Sequence, residues 1–137
     1  MLGERSDIRI VGDRFVFQAE VFFASGSADI GVDGQAQLDK LASALVQLET
    51  QIPTDIAWVL RIDGHTDARP IVTPQFPSNW ELSSARAISV VKYLMGKGVQ
   101  AKHLVAAGFG EYQPLSEGAA EQDLSRNRRI ELKLTER

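Results

Sequence analysis

Trp58-Val59-Leu60-Arg61-Ile62-Asp63-Gly64-His65-Thr66-Asp67, followed after a proline-broken loop by Ser78-Asn79-Trp80-Glu81-Leu82-Ser83-Ser84-Ala85-Arg86-Ala87, decides how the rest of the chain is read. Trp58 to Ile62 is mostly apolar and rich in strand formers, which predicts a central strand. Gly64 then releases the backbone, and His65, Thr66 and Asp67 project from the strand's carboxyl end. In sheets with helical crossovers, ligands bind at that end. Ser78 with Glu81 three residues on is a capping-box signature. It predicts a helix to about Met95, stopped by Gly96 and Gly98. Ala85, Ile88, Val91, Leu94 and Met95 supply its apolar face, and Asn79, Ser83 and Arg86 form a polar stripe. Ala68 to Pro77 contains Pro70, Pro74 and Pro77. Proline fixes φ and removes a donor, so this segment is a stiff irregular loop, of a length often found at functional sites.

Working outward, Ile8–Val11 and Arg14–Phe17 read as short strands around a Gly12-Asp13 turn. Glu20-Val21-Phe22-Phe23 is expected to continue into the main sheet. Ala24 to Ala28 is a small-residue loop. Asp33 to Glu49 is a helix, with Leu38, Leu41, Ala42, Leu45 and Leu48 at helical spacing and Asp33 as its N-cap. Past the central helix, Leu104 to Ala107 is a third strand closed by Gly108-Phe109-Gly110. Ser116 to Asp123 is a loop or short surface helix. Ile130 to Leu134 alternates strictly, which predicts a strand with one buried face. The class is α+β: a β-α-β-α-β-β order, a mixed sheet with two helices on one face, and a short N-terminal hairpin. Residues 1–18 are read as a lead-in and 19–137 as the domain.

Composition narrows the function. The 137 residues carry 15 basic and 18 acidic side chains, a net charge of −3, which gives no electrostatic footprint for nucleic acid. There is no cysteine, so disulfides, thiolate metal sites and cysteine nucleophiles are excluded. No apolar run approaches the roughly 20 residues that span a bilayer. The first seven residues lack the apolar core of a signal peptide, so an export or anchor segment is expected to be absent from this chain.

Asp67 and Arg86 carry the chemistry. Held apart at one strand end beside a helix N-terminus, an aspartate and an arginine suit a ligand bearing both ammonium and carboxylate. The alternative is a structural ion pair between them. His65 and Asp67 could instead begin a metal or hydrolytic site. However, the second histidine, His103, belongs to the far end of the next strand, and no nucleophile is evident. No metal or cofactor is implied. Arg126, Arg128 and Arg129 form a basic cluster that reads as a solvated strand edge or a polymer contact.

Five motifs in order resemble the OmpA-like peptidoglycan-binding domain shared by OmpA, the Pal lipoproteins and the stator protein MotB. They are Phe23-Ala24-Ser25-Gly26-Ser27-Ala28, Gly64-His65-Thr66-Asp67, Asn79-x-x-Leu82-Ser83-x-x-Arg86-Ala87, Gly108-Phe109-Gly110 with Pro114, and Asn127-Arg128-Arg129-Ile130-Glu131. The phrase Phe76 to Ser83 and the long loop before it are similar to the MotB-type subgroup. The resemblance implies non-catalytic binding of the diaminopimelate of the peptidoglycan stem peptide, anchoring a membrane protein to the wall from the periplasm. Asp67 would take the ammonium and Arg86 the carboxylate. Thr66, Asn79 and Leu82 would line the pocket, Leu82 largely through its backbone. Arg128 would lie near the sugar-peptide junction. A homodimer is implied by the MotB-type likeness, with the membrane reached only through a missing N-terminal segment. A wall hydrolase and a purely structural domain are the alternatives.

Overall fold

The computed structural model describes residues 8–11 and 14–136. A five-stranded sheet is built from β1 (Ile8–Val11), β2 (Arg14–Gln18), β3 (Trp58–His65), β4 (Leu104–Gly108) and β5 (Arg129–Glu136), in the spatial order β1-β2-β5-β3-β4. Every pairing is antiparallel except β3 with β4, which is parallel. The long helices are α2 (Val32–Gln51) and α3 (Asn79–Gly96), and two short ones are α1 (Ala19–Phe22) and α4 (Glu121–Asn127). The expected α+β class and its β-α-β-α-β-β order are therefore present, with the N-terminal hairpin added at one edge. The Gly12-Asp13 turn lies outside the described residues.

The period of two in the strands decides what faces the helices. Phe17, Leu60, Ile62, Ile130 and Leu132 meet Leu38, Leu41, Leu45, Val90 and Leu94 in one apolar core. The other face of the sheet is buried too. Asp63, His65, Arg129 and Glu131 are each at most 3% exposed, so the first half of β5 is buried on both faces and not on one as its alternation suggested. Ion pairs along and diagonally between the strands, Arg61 with Asp63, Arg129 with Glu131 and Arg14 with Glu131, fill that second face in place of apolar side chains.

Two local expectations ahead of β3 are corrected. Glu20 to Phe22 is helical, not strand; Ala19 N–H bonds the Arg128 carbonyl at 2.9 Å, which turns the chain off the sheet. Phe22 and the neighbouring Phe23 are then both buried, at 1% and 4% exposure. Asp33 does not cap α2. The N-cap is Gly31, without a side-chain bond, and Asp33 lies in the first turn, where its charge complements the helix dipole.

The buried face of α3 is also rotated from the expected one. Leu82, Ser83, Ala87, Val90 and Leu94 point inward, whereas Ile88 and Met95 are each 44% exposed. Close approach is the cause. Gly64 and Gly108 are paired across β3 and β4. A Cβ on Gly64 would come 2.2 Å from the Ser83 carbonyl oxygen, and one on Gly108 would come 2.7 Å from the Ser84 nitrogen. Only a small-residue helix face over two glycines packs this tightly. At the far end of α3, Gly98 takes the left-handed conformation (φ +102°), while Gly96 is simply the last helical residue.

Candidate functional site

The close seat of α3 brings its first two turns to the carboxyl end of β3. Ser78 is the N-cap there, accepting from Trp80 N–H at 3.2 Å and donating to Glu81. Such a cap contributes about 1 kcal/mol to the helix start that carries the site. Beside it opens a cavity of about 490 Å³. Thr66, Asp67, Asn79, Leu82, Arg86 and Arg128, the six residues singled out in the sequence, all line it. Glu20, Phe23, Arg69 and the Ser25-Gly26 turn complete the wall.

Arg86 is 5% exposed. Its Nε donates to the Ser27 carbonyl at 2.8 Å and its Nη2 to the Ala24 carbonyl at 3.2 Å. The guanidinium also lies 5.0 Å from the centre of the Phe23 ring. The small-residue loop thus has a function: its carbonyls hold the arginine. Carbonyls orient a cation without neutralising it, and no carboxylate among the described residues lies within ion-pair distance of Arg86. Burial lowers its pKa to about 10, so it stays charged at neutral pH. A buried charge without a counter-charge is costly, and an anionic ligand would supply one.

Asp67 is not paired with Arg86. It accepts from Arg69 through the backbone N–H (3.0 Å), Nε (3.0 Å) and Nη2 (2.7 Å), and from Arg128 Nη1 at 2.8 Å. Burial works against its ionisation, but the bonds from Arg69 and Arg128 outweigh it and hold the carboxyl below the usual range. A structural ion pair between Asp67 and Arg86, the alternative left open by the sequence, is therefore ruled out by their partners. Arg128 is pinned by three carboxylates, Glu20 at 2.7 Å, Asp67 at 2.8 Å and Glu121 at 2.6 Å. Asn79 Nδ2 donates to the Arg69 carbonyl at 3.0 Å and to Glu111 at 3.2 Å, tying the long loop to the helix start. Leu82 packs its side chain with Ala28 and Phe76 beneath that loop, while its N–H bonds the Ser78 carbonyl. The lining carries three guanidiniums (Arg69, Arg86, Arg128) against two carboxylates (Glu20, Asp67), a cationic pocket in an anionic chain.

Sequence reasoning passed over Arg69 and Glu20. Arg69 could have been found: an aspartate two residues before an arginine often bonds the backbone in an Asx turn. Glu20 could not, because its place depends on the unforeseen α1. The basic cluster is also corrected, since its members go three ways. Arg126 is exposed, Arg128 enters the pocket, and Arg129 is 2% exposed and bonded to Glu131 at 2.5 Å.

His65 does not join Asp67 in the pocket. It points to the second buried face, stacked on Phe109 with ring centres 4.8 Å apart. There Asp63, His65 and Glu131 bring ligand atoms within 4.8 Å of one another. The donor set nevertheless suits a divalent ion poorly. Arg14 holds Glu131 at 3.0 Å, Arg129 holds its other oxygen, and Arg61 holds both Asp63 oxygens at 3.3 Å. Three guanidiniums already exceed two carboxylates there. His103 sits at the opposite end of the sheet, stacked on Trp58 and 2.7 Å from Glu49.

Known proteins resemble this chain in sequence and in fold. The family model described as OmpA family matches residues 22–128. Motility protein B of Bacillus subtilis (strain 168) is 34% identical over 113 residues, 82% of this chain and 41% of that protein. The chain thus spans less than half the length of this relative. The crystal structure of a MotB-like protein from Desulfovibrio vulgaris superposes with a TM-score of 0.83 at 28% identity, covering 95% of this chain and 82% of that one. The cell wall anchor of the T6SS from Pseudomonas aeruginosa gives 0.76 at 31% identity, covering 94% and 85%.

Proposed function

Because the chain belongs to the OmpA family, we propose that it is a non-catalytic module that binds peptidoglycan and anchors a larger cell-envelope protein to the wall. The observation that carries this reading is Arg86, a buried cation held by two carbonyls and the Phe23 ring, with no ion-paired carboxylate among the described residues, in the same cavity as Asp67. A ligand carboxylate would supply the acidic partner that Arg86 lacks, and an ammonium on the same ligand would join or replace an arginine on Asp67. The diaminopimelate of the stem peptide carries both groups at its free end. The naming of one solved relative as a cell wall anchor supports the same reading. Among the described residues no helix is long and apolar enough to cross a membrane. The periplasm is the compartment in which such a module would meet its ligand.

The test is co-sedimentation with purified sacculi and titration with diaminopimelate-type and lysine-type wall fragments. Truncating one partner of a desolvated charge pair costs about 2–5 kcal/mol, roughly 30-fold or more in affinity. Asp67→Ala and Arg86→Ala are expected to lose binding by that much while still folding cooperatively. Wild type should prefer the diaminopimelate fragment by on the order of tenfold, because a lysine-type fragment leaves Arg86 unpaired. Arg86→Ala should lose the preference. Equal binding by wild type and both variants, or release of soluble muropeptides, would overturn the reading.

A further inference from the structure

Asp67 already holds a cation in the free protein. Two arginines share its carboxylate, and they are held differently. Arg128 has a side chain only 20% exposed and bonds three carboxylates at 2.8 Å or less. Arg69 has a side chain 57% exposed, and its one other acidic neighbour, Glu121, stands 3.9 Å away. On the exposed arginine's side water replaces the lost contact; on the side of Asp67, only 7% exposed, the ligand's ammonium has to replace it.

We propose that Arg69 is a built-in competitor for the cation subsite. Its guanidinium occupies the Asp67 carboxylate when no ligand is present, and a ligand ammonium binds by displacing it toward Glu121. This rests on the assignment of Asp67 as the ammonium-binding group. The geometry supports exchange and not collapse. Arg69 keeps its backbone N–H on Asp67 and its carbonyl on Asn79 after its side chain leaves, so the rim stays in place. Glu121, 68% exposed and at the start of α4, holds Arg128 through Oε2 and turns its other oxygen, Oε1, toward Arg69 Nη1 at 3.9 Å, within reach of the displaced group. A molecule carrying only a carboxylate can pair with Arg86 and leave Arg69 on Asp67; only a ligand that also carries an ammonium takes part in the exchange.

The experiment is a titration of wild type, Arg69→Ala, Arg69→Gln and Asp67→Ala with one diaminopimelate-type muropeptide, at low and at high salt. Both Arg69 variants are expected to bind about two- to fivefold tighter than wild type, with the gain shrinking as salt rises. Unchanged or weaker binding by both overturns the proposal, and weaker binding would mean that Arg69 itself contacts the ligand. The Asp67→Ala arm separates the two levels. If it loses binding while the Arg69 variants match wild type, the wall-binding assignment stands and the competitor falls. If it binds as wild type does, both fall.

Discussion

His65 lies beside the pocket strand's end without serving the pocket. It is 3% exposed, and neither ring nitrogen has a hydrogen-bond partner. Burial, reinforced by Arg129, lowers its pKa from the ordinary 6.5 to about 4, against the pull of Glu131. The native state therefore keeps His65 neutral where the unfolded chain takes up a proton. The stabilisation is fully present above about pH 6.5 and is lost as pH falls toward about 4. The loss is on the order of 3 kcal/mol. The urea midpoint of wild type should fall through this window, and that of His65→Phe should fall much less. Parallel profiles for the two proteins would show that the imidazole does not carry the effect. At this scale the sequence was partly legible. Asp67 and Arg86 stood out because their types and their position at a strand end suit one ligand. Arg69 did not, although its place two residues after Asp67 is the spacing of an Asx turn; only the bonds of its side chain to the same carboxylate needed the structure.

Among the elements, α3 and the two strands beneath it determine whether the site exists. The Gly64–Gly108 pair lets the helix descend until backbone meets backbone. A methyl at Gly64 would meet the Ser83 carbonyl oxygen, which cannot rotate away as a side chain can. Gly64→Ala should therefore destabilise the fold by about 1–3 kcal/mol, the range for overpacking a tight interface. It should also weaken wall binding beyond what the lost stability explains, because Asn79, Leu82 and Arg86 move with the helix. Gly96→Ala is the control. Nothing lies within 4 Å of a Cβ there, and the change should be neutral or stabilising by up to about 1 kcal/mol. Denaturation midpoints and sacculus binding of both variants check this, and similar behaviour of the two would remove the close-approach argument. The same contact explains why the apolar face of α3 was misread. Hydrophobicity placed Ile88 and Met95 inward, but steric fit seated Ser83 over Gly64 and Ser84 over Gly108. Periodicity located the helix; its rotation was set by a neighbour distant in sequence.

For the whole molecule, the order of elements was legible because each long one carries its own period and punctuation. The filling of the second sheet face was not. Arg129-Ile130-Glu131-Leu132 alternates as a half-exposed strand does, and only cross-strand neighbours reveal that Arg129 and Glu131 are buried. Cooperativity follows from the same pairing. β5 lies between β2 and β3 and is the partner of both. Residues 14–18 and 58–65 have no other route into one sheet. A chain ending at residue 128 should show no cooperative unfolding transition in urea, whereas the full chain should show one. A single sharp transition in the shortened chain would refute this.

That strand order has a temporal side. A polypeptide leaves a ribosome or an export channel amino end first, so the central strand of this sheet is delivered after both of its neighbours. Until Arg129 to Glu136 emerge, the two halves wait unjoined, and Arg128, one residue ahead, has no fixed place beside Asp67. Maturation of the pocket is thus timed to complete delivery of the strand, and an unfinished chain in transit would have no grip on the wall.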